Sequence, residues 1–308
     1  MSESIVKVVN LSHRYNTQWA VRNINFELTK NGIYGLLGAN GAGKSTIMNI
    51  MCGVLKQNEG EIFINGISMS VNPVEAKKYM GFLPQKPPLL PDLTIEEFLI
   101  HSANMRLMKE SEIKLAVEEV LEKCQIKHFR NRLIRNLSGG YQQRVGIAQA
   151  IIHKPLFVVM DEPTNGLDPN QILEVRNLIK EIAQERTVIL STHILQEVQA
   201  LCDDIWMINE GDVVFSGSID EFDNHIMPST LTMSMVAAPA IDKLESIPGV
   251  INVEALGGIR YRIQFTDAQE TTERIIEASV ANNWRLTEIA PEKISLETVF
   301  SELSKNKK

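Results

Sequence analysis

The segment GANGAGKST, residues 38–46, places three glycines, one lysine and two hydroxyl side chains in nine residues. It fits the spacing Gly-x-x-x-x-Gly-Lys-Ser, and it lies between an apolar strand pattern and a helical pattern. Such a loop turns successive backbone N–H groups towards a phosphate, and the helix N-terminus adds positive charge. A ligand-free glycine-rich helix cap would explain neither the lysine nor the neighbouring hydroxyl. The sequence therefore predicts a nucleoside triphosphate site.

Within this loop, we expect the lysine to reach the β- and γ-phosphates and the following hydroxyl to contact Mg²⁺. These two residues are Lys44 and Ser45. The full set of predicted phosphate-loop contacts is Asn40, Gly41, Ala42, Gly43, Lys44, Ser45 and Thr46.

A second segment, PLFVVMDEPTNGLDPNQ, residues 155–171, delivers two carboxylates at the end of an apolar strand. A strand that ends in acids beside a phosphate loop is where Mg²⁺ and an attacking water are held. We expect Asp161 to coordinate the ion, mostly through water, and Glu162 to polarise the water as a general base. A solvated strand end is the alternative for an isolated Asp-Glu pair.

A third segment, NLSGGYQQR, residues 136–144, begins a helix with a hydroxyl and bare backbone N–H groups. Ser138, Gly139 and Gly140 thus form a second phosphate-binding surface in the same chain. One triphosphate does not need two such surfaces from one protomer. The pattern predicts a head-to-tail dimer.

The chain resembles the ATP-binding subunit of ABC transporters, whose signature motif is LSGGQ; Tyr141 replaces the usual glutamine. The resemblance covers residues 5–222. It implies ATP and Mg²⁺ as cofactors, and it implies a catalytic set of Glu162, His193 and Lys44. It also implies that Tyr15 stacks on adenine. The remaining implied roles are a dimer-interface contact at Asp168 and an Mg²⁺ site formed by Ser45, Gln85 and Asp161.

The elements that must position these residues alternate between strand and helix, which predicts an α/β P-loop NTPase domain. We expect this ATP-binding domain to span residues 1–225, with a helical insertion at about 87–135. Two insertion helices are expected to start at Thr94 and Ser111, each followed by acidic residues. Residues 229–308 read as a small α+β, ferredoxin-like domain with the order βαββαβ and a last helix in SLETVFSEL.

Composition limits the function classes. The formal charge of −7 opposes nucleic-acid binding, no apolar run approaches ~20 residues, and three separated cysteines favour reduced thiols in the cytoplasm. The resemblance implies a partner ATPase subunit, either a second copy or a homologue. It also implies a separate permease that holds the protein at the inner face of the membrane. The C-terminal pattern is similar to that of drug-efflux and gliding-motility exporter subunits, although an importer remains an alternative.

Two further function classes are alternatives to the hypothesis that the chain is a transporter subunit. A soluble ABC-type ATPase that acts on ribosomes or nucleic acid typically carries two ATPase domains or a long coiled-coil insertion. A phosphoryl-transferring kinase with the same loop would leave the segment NLSGGYQQR unexplained.

Overall fold

The computed structural model of the protein describes residues 4–225 and 230–292. The chain divides into two compact units, with the division between Ile219 and Asp220. Within the described ranges, no helix combines the length and the hydropathy that a bilayer crossing requires.

Strands and helices are numbered separately in chain order. The first unit contains β1 Val6–Tyr15, β2 Gln18–Leu28, β3 Gly32–Leu37, α1 Lys44–Met51, β4 Glu59–Ile64, β5 Ile67–Ser68, α2 Pro73–Ala76, β6 Met80–Leu83, α3 Ile95–Met105, α4 Glu110–Lys123, α5 Gly139–Ile151, β7 Phe157–Asp161, α6 Pro169–Ala183, β8 Thr187–Thr192, α7 Leu195–Leu201, β9 Asp204–Asn209 and β10 Asp212–Ser218. Helix α8, Ile219–His225, begins at the division. The second unit contains β11 Thr230–Met235, α9 Ile241–Glu245, β12 Val250–Gly257, β13 Arg260–Phe265, α10 Ala268–Ala281 and β14 Leu286–Pro291.

The central sheet of the first unit has the strand order β10-β9-β3-β8-β7-β6. Its neighbouring strands pair in parallel, except for the antiparallel pair of β9 and β10. Every residue of β7 and β8 is buried, as expected for parallel strands that are covered on both faces. Because β3, β8 and β7 are parallel neighbours, their carboxyl ends meet at one edge. This edge brings together the phosphate loop, the acid pair and the segment after β8.

An antiparallel sheet with the order β2-β1-β4-β5 forms the other layer of this unit. One hydrophobic core joins both sheets to α1 and includes Val8 of β1, Ile47 of α1 and Phe157 of β7. The ring of Trp206 lies 4.5 Å from that of Phe26 and stacks on Tyr34 at 5.6 Å. The helix that follows the phosphate loop is therefore fixed on its apolar side by both layers.

The helical insertion contains α3 and α4. A capping box begins α3, since the Thr94 hydroxyl accepts from the Glu97 backbone N–H while the Glu97 carboxylate accepts from the Thr94 N–H. The predicted start of α4 at Ser111 is wrong: the helix begins at Glu110 after Lys109, which makes no side-chain cap. Acidic residues in the first turn therefore favour this helix through its dipole rather than through a hydroxyl cap.

The second unit is a four-stranded antiparallel sheet with the order β12-β13-β11-β14 and the helices α9 and α10. Its elements follow the order βαββαβ, which is that of a split-βαβ, ferredoxin-like module. Buried side chains of three strands pack with Ile275 of α10 and with Trp284. The last helix expected in SLETVFSEL lies outside the described residues.

Candidate nucleotide-binding and hydrolysis site

The phosphate loop connects β3 to α1, as the sequence predicts. Gly41 and Gly43 have φ of 83° and 112°, a region that L side chains rarely adopt. A side chain at Gly43 would also lie 2.7 Å from the carbonyl oxygen of Ala20 on β2. Glycine is thus required at position 43 both for its conformation and for the close approach of β2.

Lys44 is the first residue of α1, and its side chain folds beneath the loop. Its ammonium donates to the carbonyl oxygens of Gly38 at 2.7 Å and Ala39 at 3.0 Å. Burial lowers the pKa of Lys44, whereas the nearby charges of Glu162 and Asp161 oppose that shift. The ammonium has three donors, so one remains for a phosphate oxygen.

A cavity of about 680 Å³ extends from the loop to the turn between β1 and β2. The loop contributes Gly41, Gly43, Ser45 and Thr46 to its lining, and Tyr15 and Trp19 line it as well. Tyr15 is 51% exposed, and its ring meets His13 edge-on at 4.8 Å. An aromatic ring and a phosphate loop in one cavity match the two ends of a purine nucleotide.

The turn between β9 and β10 forms another wall of this cavity, through Glu210 and Asp212. Gly211 clamps the turn in place, because its N–H donates to the Ala42 carbonyl at 3.0 Å and its own carbonyl accepts from Arg22 N–H at 2.9 Å. The sequence gives no motif for these wall residues, because the turn follows the phosphate loop by more than 160 residues. Trp19 was likewise missed, since a single aromatic residue on a strand carries no specific signal.

The acid pair lies where β7 ends. Asp161 is buried, and its carboxylate accepts from the hydroxyl of Ser191, its partner in register on β8. The same Ser191 hydroxyl accepts from the Glu162 N–H at 3.0 Å. Glu162 has φ of 47°, a left-handed conformation that costs a non-glycine residue about 1 kcal/mol or more. Ser191 thus helps to hold a backbone turn that sends two consecutive carboxylates in different directions.

Three side chains converge on the carboxylate of Glu162. Its Oε2 accepts from Gln85 Nε2 at 2.7 Å and from Asn165 Nδ2 at 2.9 Å. Its Oε1 lies 2.9 Å from His193 Nδ1. Two of these partners, Gln85 and His193, were singled out in the sequence, whereas Asn165 was missed although it lies in the same segment as Glu162.

The donor set expected for Mg²⁺ consists of a hydroxyl, an amide oxygen and a carboxylate. Hard oxygen ligands of this kind suit Mg²⁺, which keeps several waters and binds substrate phosphates as well. Ser45 is exposed at the cavity, and Gln85 uses its amide N–H for Glu162, which leaves its oxygen as an acceptor. Across the described residues, no group of three or more His, Cys, Asp and Glu side chains could hold a metal by itself. These residues therefore fit an ion that is shared with a nucleotide.

The signature segment forms the start of α5, away from the lining of the cavity. Ser138 precedes the helix without a side-chain cap, and a Cβ at Gly139 would meet nothing within 4 Å. Tyr141 packs inward, edge-on to Phe129 at 4.8 Å. Ser138 and Gly139 are thus exposed at the start of α5, whereas Gly140 is buried.

The signature segment packs against the start of α6, where the predicted interface residue Asp168 lies. A Cβ at Gly140 would be 2.5 Å from the Gln171 side chain of α6, so the missing side chain lets the two helices approach. Asp168 caps α6 by accepting from the N–H groups of Asn170 and Gln171, each at 3.0 Å. Among the described residues that line the nucleotide cavity, none belongs to the signature segment or to the turn at Asp168.

Comparison with known proteins places these features in a family. The sequence profile described as "ABC transporter" matches residues 21–165. The bacitracin transport ATP-binding protein BcrA of Bacillus licheniformis is 37% identical over 213 residues, which are 68% of this chain and 69% of BcrA. The linearmycin resistance ATP-binding protein LnrL of Bacillus subtilis is 30% identical over 308 residues, 97% of this chain and 98% of LnrL.

A solved structure shares the fold of the first unit and is similar to this chain in sequence. The dimer of the ATP-binding cassette MJ0796, in a post-hydrolysis state bound to ADP and phosphate, superimposes with a TM-score of 0.63 at 28% identity. The match covers 70% of this chain and 98% of that cassette. With the site geometry and these relatives together, the chain belongs to the ABC transporter family, as one of its ATP-binding and ATP-hydrolysing subunits.

Proposed function

We propose that the protein powers an ABC exporter: it pairs head to tail with a second ATPase subunit, and the pair binds two ATP molecules and drives a separate membrane permease. The observation that carries this proposal is an incomplete site. One chain supplies the phosphate loop and the aromatic wall of the cavity, and its acid pair lies at the same edge of the central sheet. Ser138 and Gly139 of the signature segment are exposed, and a Cβ at Gly139 would meet no atom within 4 Å. A second chain in the opposite orientation would supply the missing phosphate contacts.

In this mechanism the loop N–H groups and Lys44 bind the β- and γ-phosphates. Glu162 acts as the general base. Its carboxylate has about four acceptor positions, and Gln85, Asn165 and His193 occupy three of them, so one is left for the attacking water. His193 presents Nδ1 to Glu162, which leaves Nε2 as the ring atom available to the γ-phosphate.

Ser45, Gln85 and Asp161 would hold Mg²⁺, which neutralises the developing charge on the phosphate oxygens. Tyr15 would stack on the adenine, and the open N-terminus of α5 in the partner would bind the γ-phosphate.

Export rather than import is supported by LnrL, whose name denotes resistance and whose match spans both units of this chain. The permease would be another subunit, as in the transporters to which the relatives of this chain belong, and this protein would lie on its cytoplasmic side.

The shared site can be tested by mixing two variants that fail for different reasons. Lys44→Ala removes a charge-assisted phosphate contact, and Gly139→Asp places a carboxylate at the helix end that should receive the γ-phosphate. A mixed dimer collects both changes in one site and leaves the other site with one intact loop and one intact signature. We expect mixing to restore ATP-dependent dimerisation and at least one turnover per mixed dimer.

Gly139→Ala mixed with Lys44→Ala serves as the control for the added charge, since a Cβ at this position meets no atom within 4 Å. Mixed dimers that form but show no turnover would mean that each chain completes its own site, and the proposed function would be rejected.

A further inference from the structure

A buried carboxylate lies beneath the two segments that carry the hydrolysis residues. Glu197, in the first turn of α7, is 3% exposed. Its Oε1 accepts from the hydroxyl of Thr164, and its Oε2 accepts from the hydroxyl of Thr192 at 2.7 Å. Both threonines are themselves buried. The carboxylate therefore connects two segments that are nearly thirty residues apart in sequence.

The two threonines that contact Glu197 lie next to the hydrolysis residues in sequence. Thr164 lies two residues after Glu162, and Thr192 comes directly before His193. Glu162 and His193 meet at 2.9 Å, and both side chains are partly exposed, whereas the two threonines are buried. Glu197 thus joins, from within the protein, the same two segments whose side chains meet at the site.

A third element is tied to the same group. Arg176 of α6 lies 3.7 Å from Glu197 Oε1, and its Nε is buried without a hydrogen-bond partner in the described structure. Helix α6 begins with the cap at Asp168. A buried carboxylate is costly unless hydrogen bonds and an opposite charge compensate it, and here the two threonine hydroxyls and Arg176 provide that compensation.

We propose that Glu197 is a positioning residue for ATP hydrolysis: it holds Thr164 and Thr192 so that Glu162 and His193 keep the geometry needed to orient the attacking water. This inference rests on the proposed role of Glu162 as general base. It separates hydrolysis from nucleotide binding, because the cavity from Tyr15 to the phosphate loop is built by other side chains.

The test compares variants that keep or remove the Thr192 hydroxyl, which donates to Glu197 and also accepts from the Ile194 N–H at 3.0 Å. Thr164→Val, which removes the other hydroxyl contact to Glu197, should lower kcat in the same way and shows that the effect does not come from the Ile194 contact. Thr192→Val keeps the side-chain shape and removes the hydroxyl, while Thr192→Ser keeps the hydroxyl and removes a methyl group. We expect Thr192→Val and Glu197→Gln to lower kcat ~10- to 100-fold, the effect of misplacing a reacting group by about 1 Å. ATP affinity, measured by titration with a non-hydrolysable analogue, should change less than about threefold, and Thr192→Ser should retain most of the parent kcat.

Val198→Ala is the matched control on the same helix, since Val198 is fully buried and lies next to Glu197. It should lower the melting temperature through a cavity while kcat at a temperature well below melting stays near that of the parent. If Glu197→Gln does not fold, Thr164→Val together with the Thr192→Val and Thr192→Ser pair still decides the question.

Two outcomes would overturn the inference: a fall in ATP affinity that parallels the fall in kcat, or equal kcat for Thr192→Val and Thr192→Ser. Failure of the proposed function is distinguishable, because it would appear as absent recovery in the Lys44 and Gly139 mixing experiment, which leaves Glu197 intact.

Discussion

At the scale of the residue, three side chains, those of Gln85, Asn165 and His193, orient the carboxylate of Glu162. Glu162→Gln keeps the size of the side chain and the backbone turn, but it removes the basic oxygen. We expect ATP to bind as in the parent, turnover to fall by about two or more orders of magnitude, and ATP-bound dimers to accumulate. Steady-state ATPase assays and size-exclusion chromatography with ATP measure these effects, and turnover within threefold of the parent would contradict the assignment. Glu181→Gln, at an exposed position of α6, is a control for handling and expression.

The residues of the site differ in how far the sequence could predict them. The phosphate loop and the acid pair were predictable because their chemistry is local: neighbouring residues in one segment do the work. Ser191 and Glu197 were not, since each acts through a pairing between strands or segments that only the folded sheet brings together. Asn165 lies in the same segment as Glu162, but an asparagine that precedes a glycine is equally typical of a turn, so the sequence does not indicate a role in the site.

At the scale of the element, the signature helix is positioned by a glycine that no motif contains. A Cβ at Gly81 of β6 would lie 2.0 Å from the backbone carbonyl oxygen of Ala150 on α5, and Gln149 also donates to the Phe82 carbonyl at 2.8 Å. Gly81→Ala should therefore force α5 away from β6 and lower the free energy of unfolding by about 1–3 kcal/mol. Urea denaturation checks this value, with Gly139→Ala, which meets no neighbouring atom, as the control. Equal stability of the two variants would mean that the helix and strand adjust without cost.

The elements of the first unit were largely predictable, because buried parallel strands and amphipathic helices have different apolar periods. The start of α4 was not, since both Ser111 and the acidic residues around it favour a helix N-terminus and differ only in which group satisfies the backbone.

At the scale of the whole molecule, one partly buried histidine makes stability depend on pH. His153 lies 2.9 Å from the Met80 carbonyl, and burial, together with the charge of Arg106, lowers its pKa to about 4. The folded state keeps the neutral ring while the unfolded chain, with a pKa near 6.5, takes up a proton, so stability is lost as the pH falls from about 6.5 towards 4. Between pH 7 and pH 5 the loss should be about 2 kcal/mol. Urea denaturation of the parent and of His153→Gln, which can still donate to the Met80 carbonyl, should show a smaller loss in the variant, and equal losses would exclude His153 as the cause.

The strand order of the central sheet also determines how late during synthesis β3 can pair with its neighbours. Among the described strands, β3, which precedes the phosphate loop, pairs with β8 and β9, and β9 begins about 170 residues later in the chain. At ribosomal rates of roughly 5–20 residues per second, β3 waits on the order of ten to thirty seconds before both neighbours exist. During that interval a strand of apolar side chains has no sheet to join, which makes the nascent chain a client for chaperones. The phosphate loop is thus synthesised early, but its strand β3 is among the last to obtain its sheet partners. A nascent chain that stalls before β8 would contain the whole phosphate loop without the neighbouring strands that position it.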